Sequence, residues 1–244
     1  MDKLQRLTEH VWIFPFDETT DRPVIGVIAS DGQSVLYDAG CGPKTANLLM
    51  SELKANNLPK PDKIILSHFH WDHSFRAGYI DGELISSRFI AEKMRQMASM
   101  KPKSVGDFIS DDLMPEFCRE HINMEYSDAS EIKLRVPDTI IGDRYTVKVG
   151  SVTVDIKQIT SPHCNGQIVR YVREDKVLFL ADSFSAEIIG HDFIDNRERR
   201  RQLNRDLKEF PFEHIVLGHF DCMNYSDFWQ LAEERLAERE SFGI

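Results

Sequence analysis

The stretch SHFHWDH at positions 67–73 places three histidines and one aspartate within six positions. Imidazole nitrogen and carboxylate oxygen are donor types that bind zinc in proteins. The stretch follows KIIL at 63–66, an apolar run typical of a strand that is covered on both faces. Two-residue spacing in an extended segment points His68 and His70 to the same side, and Asp72 and His73 follow where the chain turns. These four residues predict the core of a site for a pair of divalent metal ions.

Two pairs of segments resemble each other within the chain. SVLYDAG at 34–40 resembles KVLFLADS at 176–183, and IILSHFH at 64–70 resembles HIVLGHF at 214–220. In each half an apolar strand ends in aspartate, a helix intervenes, and a second apolar strand ends in histidine. Ligands of α/β folds bind at the carboxyl ends of strands, so we expect these polar residues at one shared edge. We therefore predict an α/β fold in which residues 1–244 form one domain built from two similar halves.

Further donors are found at other predicted strand ends. His163 follows a strand predicted to end at Ile159, Asp182 ends the strand VLFLA, and His219 follows the last predicted strand. Five histidines and two aspartates suffice for two sites with three protein contacts each and one shared carboxylate, which leaves coordination positions for water. The seven candidate ligands are His68, His70, Asp72, His73, His163, Asp182 and His219.

These donors, in this order, resemble the pattern of the metallo-β-lactamase-fold superfamily over nearly the full chain. The family motif His-x-His-x-Asp-His matches positions 68–73, and Asp38 matches an aspartate that the family places in support of the metal loop. The resemblance implies a four-layer αββα sandwich, with a helical insertion at about 87–125 in this chain. The implied ligands of one ion are His68, His70 and His163. Those of the other are Asp72, His73 and His219, with Asp182 as the bridge.

The ligand pattern is most similar to the glyoxalase II and lactonase-like branches, which share the bridging aspartate. Asp182 stands where the antibiotic-degrading enzymes with a cysteine ligand carry cysteine. His70 stands where the flavodiiron branch carries glutamate, and the chain has no room for a nuclease insert. The resemblance therefore implies a hydrolase that acts on a small-molecule substrate.

Two divalent ions that share a water lower its pKa toward about 7, which yields a bridging hydroxide at neutral pH. We expect that hydroxide to cleave an ester, thioester or lactone bond, with Asp72 and Asp182 orienting it. Zinc is the favoured metal, and iron and manganese are alternatives. Two other hypotheses are an iron-dependent oxygenase or redox protein and a non-catalytic metal-binding or partner-binding module.

Composition limits the partners and the compartment. The formal charge of −10 disfavours nucleic acid as a partner, and no apolar run is long enough to span a membrane. The start of the chain lacks the apolar stretch of a secretory signal, and the four cysteines are widely spaced, so we expect a cytoplasmic protein with free thiols. The basic stretch 197–205 suits the solvated face of a helix.

Some features remain open at the level of sequence. The methionines between 87 and 125 favour core packing over a binding surface, although this segment could form the substrate pocket or a partner interface. Cys164 and Cys222 adjoin predicted ligands but favour packing roles. His191 is a candidate substrate contact in the loop after Asp182.

Overall fold

The computed structural model describes residues 3–100, 102–110, 113–189 and 192–237. A seven-stranded sheet runs in sequence order, β1 to β7. The first three pairings are antiparallel and the last three are parallel. Its strands are β1 (Gln5–Arg6), β2 (Val11–Phe14), β3 (Ile25–Ser30), β4 (Gln33–Tyr37), β5 (Lys63–Ile65), β6 (Glu83–Ser87) and β7 (Thr139–Ile141).

A second sheet of six strands faces the first. Its strands are β8 (Arg144–Val149), β9 (Val152–Gln158), β10 (Ile168–Val172), β11 (Val177–Ala181), β14 (His214–Leu217) and β15 (Met223–Asn224). The order across this sheet is β15-β14-β11-β10-β9-β8, and the β11–β14 pairing is parallel. A separate two-stranded hairpin joins β12 (Glu187–Ile189) and β13 (Asp192–Ile194).

Helices cover the outer face of each sheet. The six α-helices of the described residues are α1 (Pro43–Ala55), α2 (Trp71–Ser74), α3 (Arg88–Ser99), α4 (Cys118–Glu125), α5 (Arg197–Leu207) and α6 (Tyr225–Ala237). One apolar core packs α1, α3 and α4 on the first sheet, a second lies between the sheets, and a third packs α5 and α6 on the second sheet. The mixed α/β architecture with two large sheets confirms the predicted fold class.

The strand pairings bring the two aspartate-terminated strands to equivalent places. β4 precedes Asp38 and pairs in parallel with β5, which leads to His68. β11 precedes Asp182 and pairs in parallel with β14, which leads to His219. The similar segments of the two halves therefore supply corresponding strands in the two sheets, and the carboxyl ends of these four strands carry polar residues.

Local chemistry explains several element boundaries. Asp31 and Gly32 both have positive φ, at 49° and 76°, in the two-residue turn between β3 and β4, as a type I′ hairpin requires. Pro43 begins α1 because the first turn of a helix does not need its missing N–H. Ser87 and Asn196 accept backbone N–H groups at the starts of α3 and α5.

The predicted helical insertion is confirmed at its two ends. α3 and α4 occupy those ends, and the described residues between them carry a 3-10 turn at Val105–Phe108 and an isolated β-bridge between Ser110 and Met114. The hairpin β12–β13 has no counterpart among the sequence predictions. Its strands are short and largely exposed, so they lack the alternation of buried and exposed residues that reveals a strand. No helix in the described ranges is long and apolar enough to cross a membrane.

Helix α1 is capped by a residue from another helix. Glu125, which is buried at the end of α4, accepts the backbone N–H of Lys44 at 2.7 Å and that of Thr45 at 3.3 Å through Oε1. Gly42, at the cap position, offers no side chain for this purpose. The carboxylate therefore satisfies two N–H groups that would otherwise be orphaned at the helix start.

We expect Glu125→Ala to lower the free energy of unfolding by about 1–3 kcal/mol, because two backbone donors lose their partner. Urea unfolding followed by circular dichroism measures the change. Glu120→Ala, on the exposed side of the same helix, is the matched control and should have little effect. Equal losses for the two variants would contradict this account of the cap.

Candidate metal centre

The predicted ligands converge at one end of the sandwich. Their donor atoms form two groups, and within each group the atoms lie within 4.8 Å of one another. Each group has the donor types and spacing that could hold a metal ion. The first group is His68, His70 and His163. The second is Asp72, His73, Asp182 and His219.

Hydrogen bonds on the far side of the ring orient two of the three imidazoles of the first group. Ser67 Oγ donates its only proton to Asp38 Oδ2 at 2.8 Å, so it accepts from His68 Nδ1 at 2.9 Å. His163 Nδ1 donates to the carbonyl oxygen of Ala186 at 2.8 Å. These bonds place the protons on Nδ1 and leave the Nε2 lone pairs of His68 and His163 facing the centre.

His68 Nε2 is buried and makes no hydrogen bond within the described part of the chain. A buried nitrogen without a partner costs free energy unless a ligand satisfies it. His70 presents its other ring nitrogen, since His70 Nδ1 lies 3.0 Å from His163 Nε2. The three converging lone pairs therefore fit a divalent cation.

Asp182, of the second group, also lies close to the first group. Its Oδ2 lies 3.9 Å from His68 Nε2 and 3.7 Å from His163 Nε2, both of the first group. The same oxygen lies 3.4 Å from His73 Nε2 and 3.3 Å from His219 Nε2, both of the second group. One oxygen atom is thus placed among four imidazole nitrogens, as the expected bridging role requires.

Asp72 and His219 complete the second group. Asp72 Oδ2 lies 3.1 Å from His73 Nε2 and 3.2 Å from His219 Nε2. Asp72 and His73 belong to the single turn α2, which begins directly after His70. The local sequence therefore turns from an extended segment into a helix between the two halves of the motif, and this turn separates the donors into two groups.

Asp38 supports the loop from beneath. Its backbone has a φ of 60°. Its carboxylate accepts hydrogen bonds from Ser67 N at 2.6 Å and from His73 Nδ1 at 2.8 Å, in addition to the one from the Ser67 hydroxyl. These bonds fix the start of the loop and the tautomer of His73 at once. The supporting role that the resemblance implied for Asp38 agrees with these contacts.

Burial and neighbouring charges shift the pKa values of the histidines in two directions. Burial and the neighbouring imidazole of His73 hold the pKa of His68 well below its ordinary value, and burial with His163 lowers the pKa of His70 to about 3. Burial also lowers the pKa of His163. All three rings are therefore neutral near neutral pH, the form that binds metals.

The second group behaves in the opposite way. Burial opposes protonation of His219, but the carboxylates of Asp182 and Asp72 outweigh it and raise its pKa to about 10. The same carboxylates, with Asp38, hold the pKa of His73 well above its ordinary value. The carboxylates of the second group therefore favour positive charge at this part of the centre.

Sequence reasoning missed Asp21. Its carboxylate lies 3.7 Å from His219 Nδ1, and burial together with the Asp72 carboxylate raises its pKa to about 7. Asp21 has a φ of 54° and lies in a turn between strands, not at the end of a strand. The strand-end pattern that revealed the other acids therefore could not reveal this one.

Other sequence interpretations have mixed outcomes. All four cysteines are free, Cys164 is buried in the core, and neither it nor Cys222 belongs to a donor group.

Met94 and Met97 pack in the core as expected, whereas Met114 also faces the cavity above the centre. In the basic stretch 197–205, Arg200 is buried against Asp195 and so departs from the solvated face. His191 lies outside the described residues.

A cavity of about 280 Å³ opens above the two donor groups. Donors of both groups form its floor, and its walls come from the first turn after β2, the segment before α4, and the β12–β13 hairpin. The wall residues include Phe16, Leu113, Met114, Phe117, Ile188, Phe193 and Phe220.

Comparison with known proteins agrees with this geometry. A family model described as the metallo-beta-lactamase superfamily matches residues 19–225. No curated protein matches the sequence. The fold is similar to that of a metallo-beta-lactamase from Pontibacter korlensis, with a TM-score of 0.62 at 16% identity, over 96% of this chain and 97% of that one.

Two further solved structures are similar. The BLEG-1 B3 metallo-beta-lactamase gives a TM-score of 0.65 at 16% identity, over 93% of this chain and 100% of that one. A metallo-beta-lactamase family protein from Thermus thermophilus gives a TM-score of 0.64 at 18% identity, over 93% of this chain and 78% of that one. Likeness at this low identity shows the shared fold and leaves the reaction to be argued from the site.

A substitution at Gly218 tests how closely the Asp182 carboxylate is confined. A Cβ atom at Gly218 would lie 1.9 Å from Asp182 Oδ1 and 3.2 Å from the carbonyl carbon of Ala181. We expect Gly218→Ala to displace the Asp182 carboxylate, to cost about 1–3 kcal/mol of stability, and to lower the metal content of the purified protein. Elemental analysis after dialysis and thermal unfolding measure both effects.

Gly142→Ala is the matched control, because a Cβ atom there meets nothing within 4 Å. It should retain the metal content of the wild type. Full metal content in Gly218→Ala would show that the carboxylate is not confined as described.

Asp38→Asn tests the support of the loop. An amide can accept through only one of its two ends, so at least one of the three donors that Asp38 serves loses its partner. We expect metal affinity to fall by about 10- to 100-fold, measured by competition with a chromophoric chelator. Asp143→Asn, at an exposed site, should leave the affinity unchanged. Wild-type affinity in Asp38→Asn would contradict the role given to this residue.

Proposed function

Because the chain belongs to the metallo-β-lactamase superfamily, we propose that it is a metal-dependent hydrolase that cleaves an ester, thioester or lactone bond at a dinuclear centre. The observation that carries the proposal is the position of Asp182 Oδ2 within 3.9 Å of four imidazole nitrogens, two from each donor group. A single carboxylate so placed suits two adjacent cations. Zinc is the proposed metal, since nitrogen and carboxylate donors both suit it.

The proposed ligands follow the two groups. One ion would be held by His68, His70 and His163. The other would be held by Asp72, His73 and His219, and Asp182 would contact both ions. When bound, the ions would supply a nucleophilic hydroxide at neutral pH and would polarise the carbonyl of the substrate. The chain orients the imidazole rings, because Asp38, Ser67 and Ala186 form hydrogen bonds on the side of the rings that faces away from the centre.

The residues around the centre provide the other requirements of hydrolysis. Asp72 and Asp182 are proposed to orient the attacking group through their carboxylate oxygens. Apolar side chains line the walls of the cavity beside the centre, and electrostatic interactions are stronger in such a less polar environment. Asp21 lies at the edge of the same cavity, where its carboxylate is 3.7 Å from His219 Nδ1 and attracts that ring electrostatically.

We expect Asp182→Asn to reduce kcat/KM by more than the 10- to 100-fold that loss of a residue behind a metal ligand costs. The replacement keeps the size of the side chain but removes the shared negative charge. The measurement is turnover of a panel of esters, thioesters and lactones by the zinc-loaded protein, with circular dichroism to verify that the fold is retained.

Asp143→Asn is again the exposed control and should retain activity. Chelation should abolish turnover, and zinc should restore it. Undiminished turnover in Asp182→Asn or in the metal-free protein would refute the proposal. Elemental analysis and an optical spectrum of the purified protein distinguish a zinc hydrolase from an iron protein, which would be coloured.

A further inference from the structure

The cavity above the metal centre has an aromatic mouth. Phe117 and Phe193 stack there with ring centroids 6.4 Å apart and planes inclined by 23°. Phe117 lies just before α4, and Phe193 belongs to β13, so the pair joins two segments that are distant in sequence. Both rings remain accessible, with 41% and 66% of their surface exposed.

Exposed aromatic rings are costly to leave in water, and here several surround one opening. Phe220 is 52% exposed and directly follows His219, while Phe16 packs edge-on against the His219 ring at 5.1 Å. Clustered apolar side chains around a concave site mark a surface that binds an apolar group. The opening therefore presents rings on several sides of any group that enters.

Charge distribution narrows the class of ligand. Among the described residues that line the cavity there is no lysine or arginine. The two carboxylates at its floor, Asp72 and Asp182, are proposed metal ligands, and Asp21 adjoins His219. Lys93, a cation of helix α3, lies over the rings of Phe69 and Phe89 and is not part of the lining.

An anionic group that packs against the rings would therefore lose water without gaining a lysine or arginine partner among the described lining residues. Such a desolvated charge costs several kcal/mol unless it is paired. A thioester whose leaving group carries carboxylates or phosphates would meet this cost. An uncharged acyl or aryl group would instead gain from burial against the rings.

We propose that the substrate is an uncharged ester or lactone whose apolar acyl or aryl group packs against Phe117 and Phe193 while its carbonyl lies at the metal centre. This inference rests on the proposed hydrolase function and specifies its substrate class. The cavity, at about 280 Å³, is slightly smaller than ligand pockets usually are, roughly 300–1,000 Å³. The apolar group is correspondingly small.

The first test compares p-nitrophenyl esters of increasing acyl length, from acetate through butyrate and hexanoate to laurate, with the zinc-loaded protein. We expect kcat/KM to rise by up to about fourfold for each methylene that becomes buried, and then to stop rising once the cavity is filled. The p-nitrophenyl half ester of adipate carries a carboxylate where hexanoate carries a methyl group. It should react at least about tenfold more slowly than hexanoate, because its charge is not paired.

The second test removes the rings. Phe193→Ala and Phe117→Ala should each lower the ratio of kcat/KM for hexanoate to kcat/KM for acetate by about tenfold. Ile140→Ala, which removes an exposed apolar side chain on β7 away from the cavity, is the matched control and should alter neither. Binding of hexanamide, measured by calorimetry, should weaken in the two phenylalanine variants in parallel.

The outcomes separate this inference from the function on which it rests. No turnover of any ester, thioester or lactone, with hexanamide binding that still depends on Phe193, would defeat the hydrolase proposal and leave the apolar cavity standing. Equal kcat/KM for acetate and hexanoate, or preference for the adipate half ester over hexanoate, would overturn the inference while hydrolysis stands. Self-association that Phe193→Ala abolishes, with acyl selectivity unchanged, would assign the rings to contacts between copies and would also overturn it.

Discussion

The structure depends on the burial of one carboxylate, that of Asp182, among imidazoles from both halves of the chain. A buried charge is tolerated only when opposite charges or donors surround it. Burial opposes ionisation of Asp182, yet His219 and His73 hold its pKa well below the ordinary value. The two sheets must therefore keep the ends of β5, β11 and β14 together. If they moved apart, the carboxylate would lose its partners inside an apolar core.

The backbone near Asp182 shows how closely this position is built. Ala181 has a φ of 47°, which costs free energy for a residue with a Cβ atom, and Gly218 is close enough that no side chain fits. Gly218 also donates its N–H to the carbonyl of Ala181 at 2.9 Å and accepts from Val24 at 2.7 Å. The strained residue and the missing side chain thus bring β11 and β14 together at the centre and join this edge to the first sheet.

The parts that the sequence predicted are those with a local and periodic basis. The spacing of His68 and His70, the buried runs before them, and the aspartates at strand ends all follow from the geometry of strands. Asp21 and the ring pair Phe117–Phe193 follow no such period. Asp21 reaches His219 only through a left-handed turn, and the two rings meet only because the β12–β13 hairpin folds over the segment before α4. Contacts of that kind depend on tertiary packing, which spacing along the chain does not encode.

This division separates the two components of the site. Most donor atoms come from segments that closely follow strands of the two large sheets and from α2, whereas His163 comes from the loop between β9 and β10. The sheets therefore hold most of the centre in place. The cavity walls come largely from connecting segments outside the two large sheets, and loops on a rigid scaffold commonly carry specificity. A substitution in those segments can alter the apolar contacts without disturbing Asp182 and its four imidazoles. Substrate choice can therefore diverge in such a fold while the metal chemistry stays the same, which is why similarity of fold alone does not identify the bond that is cleaved.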